Sequence, residues 1–436
     1  MQKGKEFKRL ELFFYANIGL NACEYAIFIV PLHPKSALVV YTLIIILVGL
    51  VVLSYILSHR DIFNPALLTA LLWLAGLLMF LLLPNSLPPL QKQFLLSLML
   101  WSIGLVVGTW VTQSFNYRVH QWECSLTIRD LYFWLSILCV PLLLHFVYQA
   151  ITLGSSGNIA MDLRLATLGD NKRIDGDVYT PLYYVLWVVT YLLYLVNIGK
   201  DAKVANKRAV IMGILVLGFS VATMSKALIL TFGLMTLYIL YRKQYISTRT
   251  ILITGTCLIT VMLAIHGIRQ SQTMDQEQVV SIFEQYILRG FCAYDTLKPE
   301  SSAHWGENVF RLYYAVTYKL GLSNIEPINP LLPWVSKPAP TNTYSTLYPF
   351  FKDFGYVGIG VFSVLLGLML GFVYKKAKGD NSFFIILYAY VLIMVVMQYA
   401  AEYFFTNLAG HIKFAILLAI PYIVGTNKLL YLPQKT

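Results

Sequence analysis

The sequence predicts an all-α polytopic membrane protein with about twelve transmembrane helices. Three observations lead there. Hydrophobic residues fill 58% of the 436 positions and charged residues only 12%, about half the charged share of a soluble domain. A soluble fold has no place to hide so much apolar side chain. Apolar runs of roughly 15 to 25 residues recur from end to end, the length a helix needs to cross about 30 Å of hydrocarbon. Lys and Arg gather in the short segments between those runs, so the net charge of +12 reads as membrane orientation and no nucleic acid is expected as a partner.

The runs fall near 10–31, 37–57, 64–83, 93–111, 131–148, 181–198, 209–224, 227–241, 250–268, 356–374, 383–401 and 411–426. The basic start MQKGKEFKR leads into the first run as a signal peptide would, but no small-residue cleavage site follows, and the helix is expected to be retained. Only Ser225 and Lys226 separate the seventh run from the eighth, and one long bent helix is the competing reading. Charge decides between them: with two spans there, every segment on the N-terminal side of the membrane is basic. Merging them would put YRKQYISTR (241–249) and YKKAKGD (374–380) on opposite faces. Both termini are therefore expected to be cytoplasmic. The chain forms one domain, 1–436, with large non-cytoplasmic loops at about 149–180 and 269–355.

No cytoplasmic loop exceeds roughly 20 residues, whereas even one βαβ nucleotide-binding unit needs about 30. There is no GxxxxGK[ST], and no internal repeat of the kind that builds many secondary transporters. Cys23, Cys124, Cys139, Cys257 and Cys292 form no CxxC, and the histidines form no HxxxH or HExxH, so neither metal nor cofactor is expected. Chemistry is expected on the non-cytoplasmic side, on a substrate delivered there.

The loop at 269–355 carries the candidates. Residues 276–296 put Val279, Phe283, Tyr286, Ile287, Gly290 and Tyr294 on one helical face, suited to the membrane interface or to capping the bundle. A second helical stretch covers 307–320, and Pro327, Pro330, Pro333, Pro338 and Pro340 then break regular structure. Aromatic rings beside hydroxyl and amide groups suit a sugar, which is apolar on one face and polar at its edge. Trp305, Tyr314, Asn342 and Tyr344 are the candidates, loop packing being the alternative for each aromatic. Basic residues that run against the positive-inside bias are a sharper signal: Arg164, Lys226, Arg269, Arg289 and Arg311 are candidate diphosphate ligands, with a snorkelling interfacial charge as the alternative. Glu402 and Asp353 are candidate general bases, Asp353 alternatively being the cap of the span at 356–374. Asn17, Asn21 and Glu24 give the first helix one polar face. Tyr184, Trp187, Tyr191 and Tyr194 form an aromatic stripe that either lines a groove for a polyprenyl tail or packs helices.

The stretch PTNTYSTLYPFFKDFGYVGIGVF (340–362) resembles a motif of the Wzy-type O-antigen polymerases, the oligosaccharide repeat-unit polymerases of bacterial inner membranes. Asn342, Tyr344, Phe351, Asp353, Phe354, Gly355 and Gly358 fit it, while Ser345 stands where threonine is usual. QYILRGFCAYDTL (285–297) is a second partial match. Ser225-Lys226 falls where family members carry Gly-Ser-Arg or a similar basic turn. The resemblance implies a glycosyltransferase of the inner membrane with its active site facing the periplasm. It would move a growing glycan from undecaprenyl diphosphate to the terminal sugar of an incoming lipid-linked repeat unit, in O-antigen and lipopolysaccharide biosynthesis. Its partners would be undecaprenyl-diphosphate-linked oligosaccharides, membrane lipid and a chain-length regulator. Arg269 with Arg289 or Arg311 would hold the diphosphate, Lys226 and Arg164 being second candidates. Glu402 or Asp353 would accept the acceptor proton, with His304 a further choice. An O-antigen ligase-like transferase and a flippase of lipid-linked glycans are the alternatives.

Overall fold

The computed structural model describes residues 34–82, 87–115, 121–154, 156–168, 181–199, 203–270, 284–329, 332–336 and 340–430. Among these the chain is helical, with isolated bridges in place of strands. The helices are α1 Pro34–Leu57, α2 Pro65–Leu82, α3 Lys92–Ser114, α4 Leu126–Leu138, α5 Val140–Thr152, α6 Ile159–Leu168, α7 Leu182–Leu195, α8 Lys203–Ala222, α9 Lys226–Arg242 and α10 Thr248–Gln270. After a π-turn at Glu284–Leu288 come α11 Arg289–Tyr294, α12 Arg311–Lys319, α13 Tyr348–Lys378, α14 Ser382–Val396 and α15 Leu408–Leu430. Among the described residues, seven segments are long and apolar enough to cross a membrane: Val39–Leu57, Pro65–Leu82, Lys92–Ser114, Leu126–Thr152, Lys203–Ala222, Tyr348–Lys378 and Leu408–Thr426. α7 and α14 are apolar but shorter. The first expected span, with Asn17, Asn21 and Glu24, lies outside the described residues.

Local chemistry starts and stops these helices. Asn64 caps α2, its Oδ1 accepting from the N–H groups of Ala66 and Leu67, with Pro65 at the first helical position where its missing donor costs nothing. Pro141 breaks the 126–152 run at Cys139 into α4 and α5. Between α8 and α9, Met224 takes φ 48° and the Ser225 N–H reaches back to the Ser220 carbonyl, so the chain turns. The run 209–241 is therefore two helices, and the long bent helix is excluded.

Two compact units emerge from the packing. The first comprises 1–116, 280–372 and 394–406; the second comprises 117–279, 373–393 and 407–436. In the second unit α7 packs against α4, α8 and α15 and is buried nearly all round. Its aromatic stripe is core: the Trp187 indole donates to the Ser136 carbonyl, Tyr184 stacks on Phe219, and the Tyr191 hydroxyl meets that of Thr236. The helix-packing reading holds there.

The first unit is organised by a glycine ladder between α3 and α13. A Cβ on Gly104 would lie 2.0 Å from Ser363 Oγ, and one on Gly108 2.4 Å from the Val364 carbonyl. From the other helix, a Cβ on Gly367 would lie 2.3 Å from the Leu105 carbonyl and one on Gly371 2.1 Å from Thr112 Oγ1. Small residues at spacings of three and four let the two backbones touch, the means of helix association available where lipid removes the hydrophobic drive. Gly367→Ala is expected to lower the unfolding temperature of the purified protein in detergent, at a cost of about 1–3 kcal/mol for forcing the backbones apart. Gly360, where a Cβ meets nothing within 4 Å, supplies the control. Gly360→Ala should be neutral or stabilising by up to about 1 kcal/mol through helix propensity.

Candidate functional site

α13 begins at Tyr348, earlier than the run 356–374, and breaks at Gly355, whose φ of 60° and ψ of −148° belong to a region only glycine occupies readily. Asp353 therefore lies inside the helix, on the turn before the kink, and does not cap the span. Its carboxylate holds the segment 302–309. Ser302 Oγ donates at 2.5 Å, Asn308 Nδ2 at 2.6 Å, and the backbone N–H groups of Asn308 and Val309 at 3.1 and 2.9 Å. Four donors occupy the roughly four lone-pair positions of a carboxylate. A second acid, Glu307, accepts from the N–H groups of Ala303 and His304 at 3.0 and 3.1 Å. Two buried carboxylates thus fix a short irregular loop whose exposed tip is His304 and Trp305.

Trp305 stays 74% exposed although its indole stacks on Phe310 at 5.4 Å and meets the edge of Phe354 at 5.3 Å. Rings behind it brace one face while the other is open. His304 is exposed at the same tip, its ring 6.5 Å from that of Tyr314. Tyr314 is a buried support, its hydroxyl donating to the Trp305 carbonyl at 2.7 Å. Tyr344 is 1% exposed, packs with Tyr348 and Ala293, and donates to the Pro333 carbonyl. Of the aromatics expected to meet a sugar, Trp305 offers a face; Tyr314 and Tyr344 are committed to packing. Asn342 is half-buried.

Glu402 is buried and folds onto its own turn, accepting from the N–H groups of Phe404, Phe405 and Thr406 at 2.6, 3.0 and 2.9 Å. Burial pushes its carboxyl above the usual range, the three N–H groups opposing this only in part. Like Asp353, it serves as an acceptor for backbone. Of the cations, Arg289 pairs with Glu284 at 3.0 Å and donates to the Pro340 carbonyl at 3.3 Å, while Arg311 donates to the Ile328 carbonyl at 2.9 Å. Both belong to the first unit with His304 and Trp305. Arg164 and Lys226 belong to the second, and the side chain of Arg269 lies outside the described residues. Helix α12 is shorter than the expected 307–320, because residues 303–309 are spent on the loop. Of the helix expected over 276–296, residues 284–294 are helical and 276–283 lie outside the described residues.

Several supporting residues had no signal in the sequence. Gln398 is buried, its Oε1 accepting from the indoles of Trp73 and Trp101 at 2.7 and 2.8 Å while its amide donates to Thr69. Its carbonyl accepts the Thr346 N–H, and Ser345 bridges to Ala401, which joins the 340–347 segment to the turn of Glu402. α11 and α3 cap each other. Asp295 accepts from the N–H groups of Gln91 and Phe94 at the start of α3, and Gln93 donates to the carbonyls of Tyr294 and Leu297. Lys352, beside Asp353 in sequence, turns to the Tyr348 hydroxyl at 3.0 Å. Comparison with protein-family models, curated proteins and solved structures finds no match for this chain.

Asp353 and the half-buried Asp295 each give a measurable outcome. Asp353→Ala orphans the amides of Asn308 and Val309 at about 1–3 kcal/mol each, and hydrogen exchange across 302–309 should accelerate; Asp353→Asn, which keeps one acceptor, should fall between. For Asp295, burial outweighs its two N–H partners and the carboxyl is pushed up to about 6 from an ordinary 3.8. A raised folded pKa means that protonation favours the folded state. Its contribution to stability is complete below about pH 4 and lost as pH rises through about 6. The unfolding temperature of wild type relative to Asp295→Asn should therefore decline across that window, as thermal unfolding of both proteins in parallel buffers will read.

Proposed function

We propose that this protein is an inner-membrane glycosyltransferase of twelve spans, with both termini cytoplasmic, that polymerises undecaprenyl-diphosphate-linked oligosaccharide repeat units at the periplasmic face. The observation that carries the reading is the loop tip held by Asp353: an open indole face beside an imidazole, on a rigid support. The stretch that supplies this aspartate is the one that resembles the polymerase motif. A sugar stacks its apolar face on an indole while its hydroxyls meet polar groups at the ring edge. A neutral imidazole carries a ring nitrogen that can accept the proton of a hydroxyl within hydrogen-bond reach.

In this reading His304 takes the proton from the terminal sugar hydroxyl of the incoming unit, positioned on Trp305. The oxygen bonds to the anomeric carbon of the growing chain, and that carbon's bond to the diphosphate oxygen breaks. Undecaprenyl diphosphate leaves carrying the electron pair, and Arg289 and Arg311 balance the charge that develops on it. Asp353 and Glu402, expected from sequence as the bases, have their oxygens engaged by donors from the protein, which moves the proton-accepting role to His304. Arg269, the first choice from sequence alongside Arg289 or Arg311, stays a proposed diphosphate ligand, with Arg164 and Lys226 as the second candidates.

Purified protein given lipid-linked repeat units in detergent should produce a ladder of longer glycans. His304→Ala should slow it by about 10²–10⁴-fold, Arg289→Ala or Arg311→Ala by about 10²-fold or more, and Trp305→Ala should raise the KM for the acceptor. Failure to lengthen any such substrate, or normal ladders from both arginine variants, would overturn the polymerase or its diphosphate clamp respectively. A deletion strain separates the ligase-like alternative: loss of a polymerase leaves lipid A–core capped with a single repeat unit, whereas loss of a ligase leaves bare core.

A further inference from the structure

Beyond its break at Gly355, α13 runs on to Lys378 and rises about 34 Å, against about 30 Å of hydrocarbon. The stretch from Tyr356 to Tyr374 alone rises about 28 Å, so Asp353, just before it, falls at the headgroup boundary. The Val309 N–H is bound to Asp353, and α12 starts at Arg311. α12 therefore begins at headgroup depth. At nine residues it rises about 14 Å and cannot cross the hydrocarbon.

An apolar face is nevertheless turned outward. Tyr313, Val316 and Leu320, at i, i+3 and i+7, fall within about 60° of one another around the helix. They are 64%, 47% and 66% exposed, and Leu322 just past the helix end is 74% exposed. The buried Tyr314 secures the other side to the loop. Charge favours an anionic cover on this face: α12 itself carries Arg311 and Lys319 and no acid, the nearest acids being the buried Glu307 before it and Glu326 beyond the turn, and Lys319 is exposed on the flank of the apolar stripe. A short helix with an outward apolar stripe flanked by a cation is the pattern of a helix lying in an anionic interface.

We propose that α12 and the Gly321–Leu322 turn lie in the headgroup layer of an anionic bilayer, with Tyr313, Val316, Leu320 and Leu322 toward the acyl chains and Lys319 at the lipid phosphates. The contact anchors the 302–309 loop from its C-terminal side and sets the depth at which Trp305 is presented. The inference rests on placement, exposure and charge and stands apart from the glycosyl-transfer reading.

The test uses the full-length protein in vesicles, with a fluorescent amino acid introduced at Leu320 or Leu322 and, for comparison, at the exposed Lys298. Emission at 320 and 322 should shift to the blue and be quenched by nitroxide-bearing lipid, with iodide quenching, applied on both sides, several-fold weaker than at 298. Iodide quenching equal to that at 298 would overturn the proposal. Shielding from iodide and nitroxide lipid alike would overturn it too, by showing protein on this face, such as a second copy. Hydrogen exchange of the unsubstituted protein across 311–320 supplies a second measurement. It should be slower in vesicles containing phosphatidylglycerol than in phosphatidylcholine alone, and equal rates would overturn the anionic preference.

Discussion

Four donor groups converge on the Asp353 carboxylate, and the arrangement of the loop it holds depends on them. A buried backbone N–H needs a partner, and irregular chain is buried only where partners are supplied. Residues 302–309 form no regular helix, so their donors go to two acids, Asp353 from α13 and Glu307 from within the loop. What the loop presents inherits its position from those bonds: the imidazole of His304, the open face of Trp305 and the start of α12. The kink at Gly355 belongs to the same device, because it ends the turn that carries Asp353 before the long apolar part of α13 begins.

The same solution recurs through the first unit. Asp295 and Gln93 exchange caps between α11 and α3, Gln398 gathers two indoles and a threonine, and Glu402 closes its own turn. The glycine ladder brings the backbones of α3 and α13 into contact, which holds the support beneath these ends to one geometry. Acids that look reactive in the sequence are thus largely acceptors for amides. Chemical interest shifts to side chains that remain outward, His304 and Trp305, and to the arginines of the same unit.

How much of this was legible in the sequence differs from residue to residue. The turn at Ser225 was legible from charge balance alone, since merging the two runs would set basic segments on both faces. The stripe Tyr184, Trp187, Tyr191 and Tyr194 was legible as a helix face, but periodicity is the same whether the face meets a lipid tail or another helix. Asp353 stood out in its motif, and its place just before the run at 356–374 suggested a cap. That suggestion failed because the helix starts at Tyr348, where Pro349 occupies a position that needs no donor. Tyr344 shared the motif and the expectation of a ligand, and is core.

The sequence by itself determined the membrane character, the helical class and the approximate place of most helices, because the length and hydropathy of a run are local properties that no neighbour can alter. It also singled out the loop at 269–355 and the Asn342-to-Gly358 motif as the expected place of a site, through their aromatic, basic and turn-forming residues. Only the tertiary structure decided what each polar side chain does. A carboxylate is a base, a cap or an anchor according to the donors around it, and for Asp353 those donors arrive from 44 to 51 residues away in the chain. The exposure of the Tyr313, Val316 and Leu320 stripe was decided in the same way, by which side of α12 the Tyr314 hydroxyl fastens to the loop.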